Sequence, residues 1–213
     1  LVVLLLALQP DIGQTLLVLL SWSILIFISG INLTLIIIFL FLLFISLSYL
    51  IIFIPKFSYI KNRLISFFDS DAGTYNAQSD KAIDSIVSGG FFGKGIGEGT
   101  LKNRVPEAHT DYIISVISEE FGIIAIILIL FLFLIFIYSV FKKVYFENDE
   151  KIKLILVGCI SLILMQAMIH IGVNIRLFPT TGMTLPFISY GGSSIISISM
   201  MSGIILNLTK RRI

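Results

Sequence analysis

A histidine and several carboxylates stand at the entrance of a long apolar run. His109 and Asp111 belong to the segment 104–112 (RVPEAHTDY), and Glu119 and Glu120 directly precede the run that starts at Phe121. Ionisable side chains at the mouth of a membrane span are costly and mark functional sites by default. A carboxylate beside apolar lipid has its pKa raised, so Asp111 is a candidate general base. An N-cap of the following helix is the alternative role for Asp111.

Two neighbours of Asp111 are candidates with equally plain structural alternatives. His109 suits acid/base chemistry or an ordinary surface hydrogen bond, and Glu119 suits substrate binding or an ion pair with a loop lysine. If one helix runs from Asp111 to Tyr138, Asp111 lies roughly 13 Å above the apolar run. Ser115, Ser118 or Glu119, and Gly122 then share its face and form a polar track at headgroup height.

Four basic residues are candidate ligands for an anionic group. Lys94, Lys102 and Arg104 lie in or after a glycine-rich stretch at 89–100, and Arg176 lies in the last polar loop. The glycines allow sharp turns and close backbone approach. The stretch is not a P-loop, because no Lys-Ser/Thr pair opens a helix after a fixed spacer. For Arg176 the alternative is a side chain that extends to the membrane interface.

A second glycine- and serine-rich stretch opens the final apolar run. Ser193 and Ser194 stand at the expected N-terminus of this helix. Such an N-terminus suits an anion, although small residues also allow close helix packing. No cluster of His, Cys, Asp or Glu has metal-ligand spacing, and the single Cys159 cannot form an internal disulfide.

The composition predicts the fold class. Hydrophobic residues make up 57% of the chain and charged residues 13%, with a mean hydropathy of +1.03. Soluble domains are nearer a quarter charged. We therefore predict an all-α, polytopic transmembrane helix bundle. A net charge of +2 from scattered basic residues gives no reason to expect a nucleic-acid partner.

Six apolar runs predict the elements that position the candidate residues, because a bilayer core of about 30 Å needs about 20 apolar residues. They predict helices at 1–8 (a remnant), 14–30, 32–54, 112–140, 154–173 and 189–208 in a single membrane domain, 1–213. Basic residues at 142–153 and 210–212 place their loops in the cytoplasm, so the long loop 55–111 is extracytoplasmic. A short amphipathic helix around Ala82 and Ile86 either covers the bundle or faces substrate.

Four ordered motifs resemble the SEDS family, named for shape, elongation, division and sporulation. They lie at 9–13 (QPDIG), in the loop at 78–100, at 106–122 and at 184–194 (TLPFISYGGSS). The resemblance implies that this chain is the C-terminal half of a longer protein. The loop segments 80–82 (DKA) and 97–100 (GEGT) are more similar to the division proteins of the family than to its elongation proteins.

The resemblance implies a peptidoglycan glycosyltransferase that polymerises lipid II at the division septum, in the bacterial cytoplasmic membrane. Its partners would be a class B penicillin-binding protein, acting as transpeptidase, and other division proteins. Asp111 would take the proton from the acceptor's 4-hydroxyl, which attacks C1 of the donor MurNAc with inversion. The leaving undecaprenyl diphosphate needs charge stabilisation from cations or Mg²⁺. The candidate substrate-binding residues are Lys94, Lys102, Arg104, His109, Glu119, Arg176, Ser193 and Ser194.

One position departs from the family pattern. The division proteins usually carry Lys where this chain has Thr181, and Arg176 is a candidate compensating cation. Two other functions remain open at this point. A lipid II flippase would use a polar track and interrupted outer helices, and a non-catalytic scaffold would recruit the transpeptidase without turnover.

Overall fold

The chain is an all-α, polytopic membrane protein. The computed structural model describes residues 2–9, 11–68 and 73–210; two of the basic residues at 210–212 lie outside them. Eight α-helices occur in this part, and it contains no strand. They are α1 (Val2–Leu8), α2 (Ile12–Ile28), α3 (Leu33–Phe53), α4 (Ser58–Phe68), α5 (Gly73–Gly89), α6 (Ile113–Phe146), α7 (Glu150–Asn174) and α8 (Gly192–Thr209).

Four of these helices are long and apolar enough to cross a membrane, namely α3, α6, α7 and α8. The apolar α2, with 17 residues, is shorter. Local signals set several ends: the Asp11 carboxylate accepts from the Gln14 amide at the start of α2, and Asp149 caps α7 in the same way. Gly30, with φ of 85°, closes the turn between α2 and α3.

The central helix of the bundle is α7. It packs against α2, α6 and α8, and 56% of its most apolar stretch is buried, against 6% for α3. Leu156, Ile160 and Ile163 form an apolar cluster with Val140 of α6 and Ile205 of α8. A second cluster joins α2, α5, α6 and α7 to the loop before α6. Ala82, Val105 and Ala108 belong to this cluster, so the described part of the segment 73–111 is packed onto the bundle as folded structure.

The amphipathic pattern around Ala82 lies within α5, a longer helix than predicted. Ala82 and Ser85 are fully buried, whereas Val87 is 72% exposed. The buried face packs along the first turns of α6. Of the two roles predicted for this helix, covering the bundle describes the buried face, because that face packs over the first turns of α6.

The prediction of one continuous helix from Asp111 to Tyr138 is wrong. Gly122 has φ of 78° and ψ of 179°, so a break divides α6 into a short N-terminal piece and a long C-terminal piece. The predicted polar track is also wrong, because Ser115, Ser118 and Glu119 are fully buried against α5. Because the helix is broken at Gly122, the height of Asp111 above the apolar run does not follow from the rise per residue of one straight helix.

The glycine-rich loop after α5 fills this break. The amides of Lys94 and Gly95 donate to the carbonyls of Glu119 and Glu120, at 2.9 and 3.1 Å, and the Ile123 amide donates to the Gly90 carbonyl at 2.9 Å. Backbone groups in an apolar environment must be paired, and the loop pairs those that the break leaves free. A Cβ on Gly93 would lie 2.2 Å from the Glu120 carbonyl, so the close approach requires glycine there.

Candidate functional site

Distant parts of the chain enclose a polar cavity at one end of the bundle. The turn before α2, helix α4, the start of α5 and the last loop meet around Asp111, leaving a volume of about 360 Å³. Its polar lining, besides Asp111, includes Gln9, Asp11, Arg63, Gln78, Thr180 and Thr181. Since all these segments line one cavity, they lie at the same end of the bundle.

Asp111 lies on a tight turn directly before α6. Its amide donates to the Glu107 carbonyl at 3.0 Å, and Glu107 has φ of 53°. The N-cap of α6 is Tyr112, without a side-chain hydrogen bond to the helix, so the alternative of Asp111 as N-cap is wrong. Across the cavity, a Cβ on Gly182 would lie 3.7 Å from Asp111 Oδ2, so this glycine leaves space beside the carboxylate.

The surroundings of Asp111 favour its neutral form. Burial raises the pKa of the carboxyl group above its ordinary value, and the negative charge of Glu107 raises it further. A hydrogen bond from Thr110 and the positive charge of Arg63 act in the opposite direction and only partly offset the rise. A carboxylate with a raised pKa is a better proton acceptor once ionised, as general-base chemistry requires.

Arg63, on α4, is the guanidinium that lines the Asp111 cavity. Its Nη1 atom donates to the Thr180 carbonyl at 2.7 Å, while its buried Nε has no partner among the described residues. A guanidinium with spare donors suits phosphate oxygens. Sequence reasoning missed Arg63 because α4 carries it to the cavity from 48 positions before Asp111, and no local motif marks that approach.

The predicted cations lie elsewhere. Arg176 pairs with Asp80, with 2.6 Å between Nη1 and Oδ1, and Lys94 and Lys102 pair with Glu119 and Glu120. The lysine-pairing alternative for these glutamates is confirmed. Arg104 is exposed in the 3₁₀ turn Lys102–Arg104 and does not line the Asp111 cavity.

Glu119 is fully buried, away from the cavity. Its two carboxylate oxygens accept from the amides of Leu101 and Lys102, at 2.9 and 2.7 Å, and from Ser85 Oγ at 3.0 Å. Lys94 Nζ lies 3.5 Å away. Glu119 therefore fastens the end of the glycine-rich loop to α6, and its geometry speaks against substrate binding.

The remaining predicted residues line two other depressions. His109 is exposed and lies beside Lys102 and Glu107 in a depression of about 370 Å³. Ser193 and Ser194 line another of about 330 Å³ between α2, α7 and α8. Ser194 Oγ accepts from Thr184 Oγ1 at 2.8 Å and from Gln166 Nε2 at 3.2 Å.

Thr181 takes the position of the expected lysine and does line the cavity. Its buried Oγ1 has no partner among the described residues. Arg176 does not line the cavity, and Arg63 does. The hypothesis that Arg176 compensates for the missing lysine is therefore not supported by this geometry.

No described group of three or more His, Cys, Asp or Glu side chains could hold a metal ion. The carboxylates that line the cavity are those of Asp11 and Asp111, and Asp11 Oδ1 already accepts from the Gln14 amide. The described residues therefore provide no group of ligands for Mg²⁺, and a role for Mg²⁺ stays a prediction.

These features define a multi-pass membrane protein whose loops at one end of the bundle fold around a half-buried carboxylate. The family model of FtsW, RodA and SpoVE, described as cell cycle protein, matches residues 1–212. The chain belongs to this family.

Relatives of known name agree with that assignment. The chain is 35% identical over 208 residues to the probable peptidoglycan glycosyltransferase FtsW of Caulobacter vibrioides, with 98% of the chain and 52% of the relative covered. It is 34% identical to the stage V sporulation protein E of Bacillus subtilis, with 95% and 55% covered. The chain therefore spans about half the length of these relatives.

A solved structure shares the fold. It is described by the words "Structural coordination of polymerization and crosslinking by a peptidoglycan synthase complex". The superposition has a TM-score of 0.73 and 27% sequence identity, and it covers 98% of this chain and 57% of the other.

Proposed function

We propose that the whole protein is an inverting peptidoglycan glycosyltransferase that polymerises lipid II, with Asp111 as general base. The observation that carries the proposal is the placement of a half-buried carboxylate with a raised pKa in the same cavity as a guanidinium. The names of the relatives and of the solved complex support this chemistry.

In the proposed reaction the Asp111 carboxylate takes the proton of the acceptor GlcNAc 4-hydroxyl. The oxygen forms a bond to C1 of the donor MurNAc, and the bond from C1 to the undecaprenyl diphosphate breaks with inversion. The diphosphate leaves with the bonding electron pair, so it needs positive charge more than a proton. Arg63 supplies that charge in this chain, in place of the cations predicted from the sequence.

The partners and location follow from the same proposal. A class B penicillin-binding protein would crosslink the glycan, other division membrane proteins would bind the pair, and the complex would work in the cytoplasmic membrane at the septum. The loop segments that are similar to division proteins and the FtsW names of several relatives support the division role. The related solved structure is described as a peptidoglycan synthase complex that coordinates polymerisation and crosslinking, which supports a transpeptidase partner.

Polymerisation of lipid II by the purified whole protein with its transpeptidase tests the proposal. Wild type should form glycan chains and Asp111→Asn should not, while Asp84→Asn, an exposed aspartate on α5, should match wild type. Translocation of lipid II without polymerisation would favour the flippase. Binding of the transpeptidase without turnover of either kind would favour the scaffold.

A further inference from the structure

Three consecutive main-chain carbonyls before α6 are each held by a separate group from the last third of the chain. The Tyr190 amide donates to the His109 carbonyl at 3.0 Å, and Ser189 Oγ donates to the Thr110 carbonyl at 2.7 Å. Asn174 Nδ2 donates to the Asp111 carbonyl at 3.0 Å. The backbone of the turn that carries Asp111 is therefore bound along its whole length.

The two side chains in this arrangement are buried. Asn174 is 0% exposed and Ser189 is 3% exposed. Each is itself fixed, because Asn174 Nδ2 also donates to the His170 carbonyl at 2.9 Å and Ser189 Oγ accepts from the Leu185 amide at 2.8 Å. Asn174 Nδ2 and Ser189 Oγ are thus each held at a second point, which favours one geometry of the turn, while Asn174 Oδ1 has no partner among the described residues.

This network fixes the residue whose side chain enters the cavity. The Asp111 amide is bound by the Glu107 carbonyl, and the Asp111 carbonyl is bound by Asn174. Both peptide groups of the residue are therefore held, and α7 and the last loop fix the backbone position from which the Asp111 carboxyl group reaches the cavity that it shares with Arg63. The reacting groups of an enzyme need such precise support, since a shift of about 1 Å can cost about 100-fold in rate.

We propose that Asn174 and Ser189 are positioning residues that hold Asp111 in its reactive orientation from α7 and the last loop. The inference rests on the proposed function of Asp111 as general base. It gives Ser189, within the 184–194 motif, a role in aligning the base, separate from the anion binding that the sequence suggested for Ser193 and Ser194.

The test measures polymerisation kinetics and their pH dependence for Ser189→Ala and Asn174→Leu, each of which removes one donor at a buried carbonyl. Ser202→Ala is the matched control, because this serine bonds only within α8, to the Ile198 carbonyl. We expect kcat to fall about 10- to 100-fold in both variants with KM changed less than about twofold, since the substrate-binding groups stay in place.

The pH profile separates positioning from a general loss of structure. A loosened turn exposes the Asp111 carboxylate to water, so the acidic limb of kcat against pH should move to lower pH. The charged or titratable groups that line the cavity with Asp111 are Tyr112 beside it, Arg63 from α4 and Asp11 from the turn before α2, and Glu107 lies in the same turn as Asp111. His170 of α7 lies against Asn174, with 3.4 Å between Nδ1 and Asn174 Nδ2, and Ser189→Ala leaves this contact in place. None of these is changed in either variant.

Two results would overturn the inference while the proposed function stands: kcat values within twofold of wild type, or a fall in kcat with an unchanged acidic limb. If Asn174→Leu fails to fold, Ser189→Ala decides alone. A different result would overturn the proposed function and this inference with it: full polymerisation by Asp111→Asn.

Discussion

Asp111 and Glu119 are carboxylates eight residues apart at the same helix mouth, and the fold puts them to opposite uses. Glu119 is fully buried and accepts from two amides, a hydroxyl and an ammonium group. Asp111 is half-buried beside a cavity, and burial raises its pKa. A carboxylate whose oxygens are all occupied by fixed donors contributes to structure, whereas one that has fewer donors and access to a cavity is available for proton transfer.

The largest expected effect is on the Asp111 side of this comparison. Asp111→Asn keeps the shape but cannot accept the proton, so polymerisation should fall by about 10²- to 10⁴-fold. Thermal unfolding of the detergent-purified protein should show no loss of stability. If Asp111→Asn lost activity only because the protein unfolded, Asp111 would have a structural role like that of Glu119.

The converse change at Glu119 should act on stability. Glu119→Ala leaves two part-buried amides and the buried Ser85 without their acceptor, and Lys94 without its partner, so we expect a loss of about 3–5 kcal/mol of folding free energy. The measurement is the unfolding midpoint, with Glu98→Ala, an exposed glutamate of the same loop, as control. An unchanged midpoint would contradict the structural role of Glu119.

The third prediction concerns the cation beside Asp111. Arg63→Ala removes a charged donor of the cavity, and a hydrogen bond to a charged group contributes about 1.5–3 kcal/mol, so kcat/KM should fall about 10- to 100-fold. Because Arg63 lowers the pKa of Asp111, its removal should move the acidic limb of the rate profile to higher pH. Lys61→Ala, an exposed cation on the same helix, should leave both unchanged.

Arg176→Ala is the variant to compare with Arg63→Ala, because Arg176 is the compensating cation predicted from the sequence. Arg176 pairs with Asp80 outside the cavity, so we expect kcat/KM within about twofold of wild type. A large loss in Arg176→Ala with little loss in Arg63→Ala would restore the compensating-cation hypothesis made from the sequence.

The smallest effect is the pH dependence of stability. The folded-state pKa of Asp111 lies above its unfolded value, so the charged form is disfavoured in the folded protein. This cost is absent below the unfolded pKa and develops as pH rises through the folded pKa. Asp111→Asn should therefore be slightly more stable than wild type at neutral pH and equal to it in acid. Unfolding midpoints across that range check the sign.

Sequence reasoning identified the apolar helices, but it missed α4 and several contacts between the elements. The apolar runs predicted membrane helices, and α7 and α8 start and end within four residues of the predicted bounds. It failed at α6, because Gly122 looks like any glycine in a helix until the loop from Gly89 onward enters the break. It failed for the cations as well, because the partners of Arg176 and Lys94 lie 96 and 25 residues away.

The sequence by itself determined that this is an all-α membrane protein of the SEDS family and that Asp111 is the residue to examine. Those properties depend on composition, on periodicity and on motifs contiguous in the chain. Only the tertiary structure decided that Asp111 shares a cavity with Arg63 and that the Glu119 carboxylate is filled with hydrogen-bond donors. The chemistry of a carboxylate depends on the hydrogen-bond donors and the water around it. Here the donors come from segments that are distant in the sequence, and only folding brings them together.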